Sequence, residues 1–213
     1  MAELKYFMCE HVQFEGLHTC AFLCEDMSVS KASERTYAKA TKGKKTHENT
    51  VYKDHPCFGY LQLNYMKNPF LYVTTPPMKC LFGVQKNNFN QFQMSLQFTD
   101  LDTDPTMKAF YEFIERTEFE CMRHLGLTEE EGDRMITQIK RDKGKKYEPN
   151  LLVKLPFRYN RFETDIYSDH SATVNILQVQ SFARVQCDIY LDKVWKMNNV
   201  FHGKWKCRCI HVL

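Results

Sequence analysis

Apolar and polar residues alternate with a period of two in several short runs of this chain, the period of strands that bury one face. Tyr60, Gln62, Asn64 and Met66 alternate with Leu61, Leu63 and Tyr65 until Asn68-Pro69 ends the run. Phe70 to Thr74 predicts a second strand, closed by Pro76-Pro77, and Met78 to Val84 a continuation after the kink. Asn87-Asn88 marks a turn. Phe92, Met94, Leu96 and Phe98 then predict a clear half-buried strand.

The period changes to a helical one after Asp102-Thr103-Asp104-Pro105. Asp104 suits an N-cap and Pro105 the first helical position. From Met107 to Leu125 the residues Phe110, Phe113, Ile114, Cys121 and Leu125 share one face, acids take the other, and Gly126 supplies the stop. Thr128 to Glu131 reads as a capping box opening a second helix through Met135, Ile136 and Ile139, closed by the basic turn from Arg141 to Lys146. Strand patterns return at Leu151–Leu155, at Arg158–Tyr167 read as one aromatic-polar run, at Thr173–Val179, at Arg184–Trp195, and at Gly203–Leu213. Strands, two helices, then strands again predict a mainly β fold with an α insertion, a β-barrel decorated by helices.

The first 59 residues differ. Leu4 to Met27 mixes apolar and polar positions, and Ser28 to Asp54 is polar and rich in Lys, Ser, Thr and Ala, as a linker would be. The expected division is therefore an N-terminal extension and polar linker over 1–59, and a β-barrel domain over 60–213 with its helical insertion at about 105–142. A length of 213 residues suffices for a sizeable core. No apolar stretch approaches the roughly 20 residues of a bilayer crossing, and no secretory signal precedes the first strand, so no membrane partner is expected. Nine cysteines without such a signal predict reduced thiols in an intracellular, reducing compartment.

A net charge of +3 says little, but its distribution says more. Acids dominate from Asp102 to Asp133, bases from Lys140 to Arg161, and a basic segment of this kind suits a polyanion. No phosphate loop, G-x-G-x-x-G, H-E-x-x-H or G-x-S-x-G motif is present, so catalysis is not expected and no cofactor is implied. Cys9, His11, Cys20 and Cys24 form a loose zinc-compatible set. Cys207, Cys209 and His211 alternate along the last strand and would share a face with Trp205 and Leu213, a pattern more typical of core packing.

Binding a single strand of nucleic acid needs cations for phosphates and aromatic faces for bases. The segment from Lys154 to Phe162 interleaves them, with Phe157, Tyr159 and Arg161 expected on one strand face and Arg158, Asn160 and Phe162 on the other. Lys145, Lys146, Arg184, Lys204 and Lys206 add charge before and after it. Trp195 and Trp205, at strand ends, fit core plugs better than stacking platforms.

The run Pro69-Phe70-Leu71-Tyr72-Val73-Thr74-Thr75-Pro76-Pro77-Met78-Lys79-Cys80-Leu81-Phe82-Gly83 resembles the single-stranded DNA-binding proteins of nucleocytoplasmic large DNA viruses, the African swine fever virus type. So do Gln93 to Phe98, Lys145 to Pro156, Val194-Trp195 and Phe201 to Lys206, in order over about residues 60–213. The resemblance implies an OB-fold core and sequence-tolerant binding of single-stranded DNA in viral DNA replication or repair. It also implies other replication proteins as partners, and a viral factory in the host cytoplasm, or the nucleus, as the place of action. Two other readings stay open at this point: a virion or assembly protein using the barrel for protein contacts, and a zinc-dependent enzyme built on the N-terminal Cys/His set.

Overall fold

A computed structural model describes residues 7–8, 17–22, 60–65, 70–169, 175–197 and 200–213. The strands are β1 (Phe7–Met8), β2 (Leu17–Phe22), β3 (Tyr60–Tyr65), β4 (Leu71–Thr74), β5 (Met78–Cys80), β6 (Gln85–Lys86) and β7 (Phe92–Gln97). After the helix α1 (Pro105–His124) come β8 (Met135–Ile136), β9 (Ile139–Lys140), β10 (Asn150–Leu155), β11 (Phe157–Arg158), β12 (Arg161–Phe162) and β13 (Asp165–Ser168). The last four are β14 (Arg184–Leu191), β15 (Lys193–Met197), β16 (Val200–Gly203) and β17 (Lys206–Val212).

Five strands close a barrel in the order β5-β7-β10-β17-β14, with β14 returning to β5. Every contact is antiparallel except β10 with β17, where Lys154 lies opposite Lys206. A three-strand meander whose fifth strand slots in parallel to the third is the OB-fold arrangement. The inward residues include Met94 and Leu96, which the period of two marks, together with Leu151, Val153 and Leu155 and Val185, Cys187, Ile189 and Leu191, all buried.

α1 is where the sequence places it. Asp104 accepts from the N–H groups of Thr106 and Met107 at 2.8 and 3.1 Å, and Gly126 follows the helix at φ +68°, a left-handed stop that costs glycine little. The helix buries Met107, Phe110, Phe113 and Ile114 in the barrel core, where the Phe113 ring lies 6.2 Å from Trp205. Trp205 is thus a core plug, as its position at a strand end suggests, whereas Trp195 is partly exposed.

Four local readings are corrected. The capping box is present, with Glu131 accepting from the Thr128 N–H at 3.2 Å, but it opens only a 3-10 turn, Glu129–Arg134. Met135 and Ile136 leave it to pair with Phe201 and His202, so sheet pairing outweighs the local helical signal. Arg158–Tyr167 is not one strand: Tyr159 and Asn160 take φ values of +50° and +59°, turning β11 back on β12 as a tight hairpin. Residues 175–179 form no strand, because the Asn175 carboxamide accepts from the Leu177 N–H at 2.9 Å and caps a 3-10 turn, Ile176–Gln178. Finally, β14 and β17 slip register between Asp188 and Ile189, which breaks the alternation of β17. Cys207 and Ile210 face the core, and Cys209 and His211 do not share the Cys207 face.

Beyond the barrel, β1 adds in parallel to β4, and β13 in parallel to β17. The connection from β14 to β17 is the hairpin β15–β16, which carries a second sheet in the order β2-β3-β15-β16-β8. Strands from residues before 60 therefore pair with both sheets.

Two stability outcomes follow. Trp205→Ala, which empties the contact between α1 and β17, is expected to cost about 3–5 kcal/mol in urea unfolding; a loss below about 1 kcal/mol would remove Trp205 from the centre of the core. Replacing Tyr159-Asn160 by Asn-Gly, which suits a turn with two positive φ values, should raise stability by about 0.5–1 kcal/mol in the same assay, and a loss would contradict the turn geometry.

Candidate nucleic-acid interface

Residues of β7, β10, β17 and β14 that face away from the barrel core meet in one row across its wall, which the buried Tyr72 of β4 continues. Gln93 lies opposite Lys154, Lys154 opposite Lys206, Lys206 opposite Tyr190, and Tyr190 opposite Tyr72. At about 4.8 Å per strand the row is about 19 Å long. Its middle is cationic and its β4 end aromatic: the Lys206 ammonium lies 5.7 Å from the Tyr190 ring centre, and the Tyr72 and Phe70 rings lie 5.6 and 5.7 Å from that of Tyr190.

The cations crowd one another. Burial, then the charges of Lys204, Lys206 and Arg158, push Lys154 below the ordinary lysine value of 10.5. Like charges held together without enough counter-charge leave a site that a polyanion can relieve. Tyr190 is pushed up to about 12 by burial first and the Asp192 charge second, so it stays a neutral hydroxyl. Burial, then Lys204, also lowers His202, which favours the uncharged ring stacked at 5.8 Å on Trp195.

Two hairpins project from the end of the row where Phe92 opens β7 opposite Leu155, the last residue of β10. In the first, β6–β7, the Asn87 side chain accepts from the N–H groups of Phe89 and Gln91 at 2.9 and 3.0 Å, and Asn90 takes φ +58°. That geometry leaves the Phe89 ring 82% exposed at the tip. In the second, β11–β12, Phe157 and Phe162 pair on one side, and each packs edge-on to Phe92 at 4.9 and 4.8 Å. Arg158 and Arg161 pair on the other side, and Tyr159 is 94% exposed at the tip. The turn thus regroups the residues from the expected single strand: Phe157 with Phe162, and Arg158 with Arg161. Arg158 has Glu163 at 3.5 Å, whereas Arg161 is exposed with no ion-pair partner among the described residues.

A small depression beside the row is lined by Gln91, Phe92, Gln93, Gln138, Leu152, Lys154 and Lys204. Three carboxamides there offer both donors and acceptors. Lys204 bridges to the partly exposed Trp195, its ammonium 5.5 Å from the ring centre.

Of the residues singled out from sequence, the fold brings together Lys154, Phe157, Arg158, Tyr159, Arg161, Phe162, Lys204 and Lys206. Lys145 and Lys146 lie elsewhere, in the exposed turn before the opposite end of β10, where the Lys146 N–H donates to Asp142. Arg184 opens β14 opposite Lys79, at the far end of that strand from Tyr190. Sequence reasoning missed Phe89, Gln93, Tyr190, Trp195 and His202 as members. Asn87-Asn88 was the available signal for the first hairpin, since an exposed aromatic beside such a turn marks a tip. Nothing local marks Tyr190 or Gln93, which join the row through long-range pairing alone.

Of the zinc-compatible N-terminal set, Cys9, His11 and Cys24 lie outside the described residues, and Cys20 stands on β2 opposite Gln62. Among the described residues no group of three or more His, Cys, Asp or Glu side chains could hold a metal ion, and no helix is long and apolar enough to cross a membrane. In β17, His211 bonds Asp169 at 2.8 Å and stacks on Tyr167 at 4.4 Å.

No protein-family model matches the chain, and no curated protein does. Among solved structures it is similar to the single-stranded DNA-binding protein of bacteriophage Enc34: TM-score 0.47 at 11% identity, over 71% of this chain and 83% of that one. A C-terminally truncated form of the same phage protein gives TM-score 0.46 at 12% identity, over 71% and 87% of the two chains.

Proposed function

We propose that this protein binds single-stranded DNA without strong sequence preference, and that it does so across the outer wall of the barrel from Gln93 to Tyr190. The observation that carries the reading is the crowded row itself, whose lysines lie between two aromatic-tipped hairpins and the Trp195–Lys204 pair. In OB folds the wall formed by the second and third strands, with the loops joining strands one to two and four to five, is the surface that takes oligonucleotides. Here those elements are β7 and β10, the β6–β7 hairpin, and the β15–β16 hairpin.

Lys154, Lys204, Arg158 and Arg161 would follow the phosphates, while Phe89, Tyr159 and Trp195 present faces on which bases stack. The exposed rings suit a flexible single strand, whose bases can splay; a duplex keeps its bases paired and inward. Service in viral DNA replication or repair, alongside other replication proteins in an infected cell, is the finer part of the proposal. It rests on the sequence likeness to the nucleocytoplasmic large DNA virus proteins. The alternative reading, a barrel used for protein contacts in a virion, has no comparable feature in its favour.

A fluorescence-anisotropy titration of labelled oligo-dT and of the matching duplex, at two salt concentrations, tests the reading. Tight binding to the single strand alone is expected, with a log–log salt slope of about −3 for four cations at roughly −0.7 each. Equal affinity for the duplex, or no binding to either, overturns it. Arg158→Ala with Arg161→Ala should weaken binding by at least about tenfold and flatten the slope by about 1.4. Tyr159→Ala should cost about 1–3 kcal/mol of affinity without altering the slope.

Lys154 gives a pH test. Its lowered value means that the folded protein is penalised while Lys154 is charged, and regains that stability as pH rises through the lowered value towards 10.5. Bound phosphate favours the charged form, so affinity should fall with rising pH before ordinary lysines titrate. Lys154→Gln should remove the alkaline fall and weaken binding at neutral pH, yet raise Tm by about 2 °C. A variant that binds less and is also less stable would contradict the crowding argument.

A further inference from the structure

The basic row contains one acid. Asp192 sits between Leu191, the last residue of β14, and Lys193, the first of β15, where the chain leaves the barrel for the second sheet. Its Oδ2 accepts from the Lys206 ammonium, with the two side chains only 14% and 16% exposed. Its Oδ1 is the sole buried side-chain nitrogen or oxygen without a hydrogen-bond partner among the described residues. It follows Tyr190 by two residues, and Tyr190 lies opposite both Lys206 and Tyr72, so the acid stands beside the middle of the row.

A buried carboxylate with one oxygen unsatisfied costs stability, and a pair built for stability alone would complete its bonds or be apolar. What the pair does instead is cancel the Lys206 charge. It also sets a fixed negative charge beside the path that phosphates would take past Lys154 and Lys204. The other acid near these cations, Glu163, differs: it is 40% exposed, 3.5 Å from Arg158, and open to screening by solvent.

We propose that Asp192 is an internal competitor for the phosphate backbone, which holds the affinity of the wall below what its lysines would otherwise give and so speeds release of the strand. This rests on the single-stranded DNA reading above. In the free protein Lys206 is held by Asp192. On binding, phosphate repulsion with Asp192 offsets part of the attraction of Lys154 and Lys204, and the occupied wall empties faster. The Asp192–Lys206 pair is then neutral in sum: removing the acid tightens binding, removing the base loosens it, and removing both restores it.

The test measures binding of labelled oligo-dT by anisotropy, and release by stopped flow, for wild type, Asp192→Asn, Lys206→Met and the double variant. Thermal melts check that each is folded. Asp192→Asn is expected to bind on the order of tenfold more tightly, chiefly through slower release, with a salt slope steeper by about 0.7. Lys206→Met should bind about tenfold more weakly, and the double variant within about threefold of wild type. Glu163→Gln, the exposed control, should change affinity less than about threefold. If Asp192→Asn fails to fold, Asp192→Ser takes its place with the same expectation. Unchanged or weaker binding by the folded Asp192 variant, with wild type binding normally, overturns this inference and leaves the single-strand reading standing. Failure of wild type to bind removes both.

Discussion

β17 is the constraint on which the rest depends, because it must pair with three strands. It runs parallel to β10 through Lys154 and Lys206, parallel to β13 from Cys209 to Val212, and antiparallel to β14 along nearly its whole length. β10 and β13 take successive stretches of one edge, Lys206 and then Cys209 to Val212, while β14 runs along the other. The slip between Asp188 and Ile189 interrupts that last pairing and adds local twist of the kind that closing five strands requires. Closure brings the third and fifth strands together at only a short parallel contact, and that contact places two lysines side by side. The cationic wall is thus a consequence of how the barrel shuts. Trp205, one residue before Lys206, anchors the same point from inside against Phe113.

The elements legible in the sequence are those whose signals are local. The period-two runs of β3 and β7, the apolar run of β10, and the Asp104 cap with the Gly126 stop of α1 depend on neighbours a few residues away. Readings failed where a distant partner outbid a local preference. The capping box at Thr128 is satisfied, yet the chain after it is taken by β16. Cys207 and Cys209 are spaced to share a face, yet the slip opposite β14 separates them. Arg158–Tyr167 alternates as a strand should, but Tyr159 and Asn160 adopt a left-handed turn that neither residue type announces as asparagine-glycine would.

The candidate site was legible in composition more than in geometry. The interleaving of bases and aromatics from Lys154 to Phe162 pointed to the right segment, but only the hairpin assigns its sides: Phe157 and Phe162 to the Phe92 contact, Arg158 and Arg161 outward. Charge alone could not separate Lys154 from Lys145 and Lys146, which lie at opposite ends of β10. Tyr190 and Gln93 carry no charge and belong to unremarkable strand patterns. They enter the row because β14 and β7 flank the two lysine-bearing strands.

Asp192 joins these threads. Arg184–Trp195 looks like one long strand, and the break in it falls at this residue, where β14 gives way to β15. A strand that continued would have kept the barrel and second sheet in one surface and left Lys206 without a counter-charge. The break turns the chain, sends β15 and β16 out to carry Trp195 and His202, and lays a carboxylate against the lysine that barrel closure has pressed up to Lys154. Two lysines enforced by topology repel, and one acid at the turn limits that repulsion in the empty protein. The same acid must then oppose any anion that comes to do the same work, which ties the stability of the free wall to the ease with which a bound strand departs.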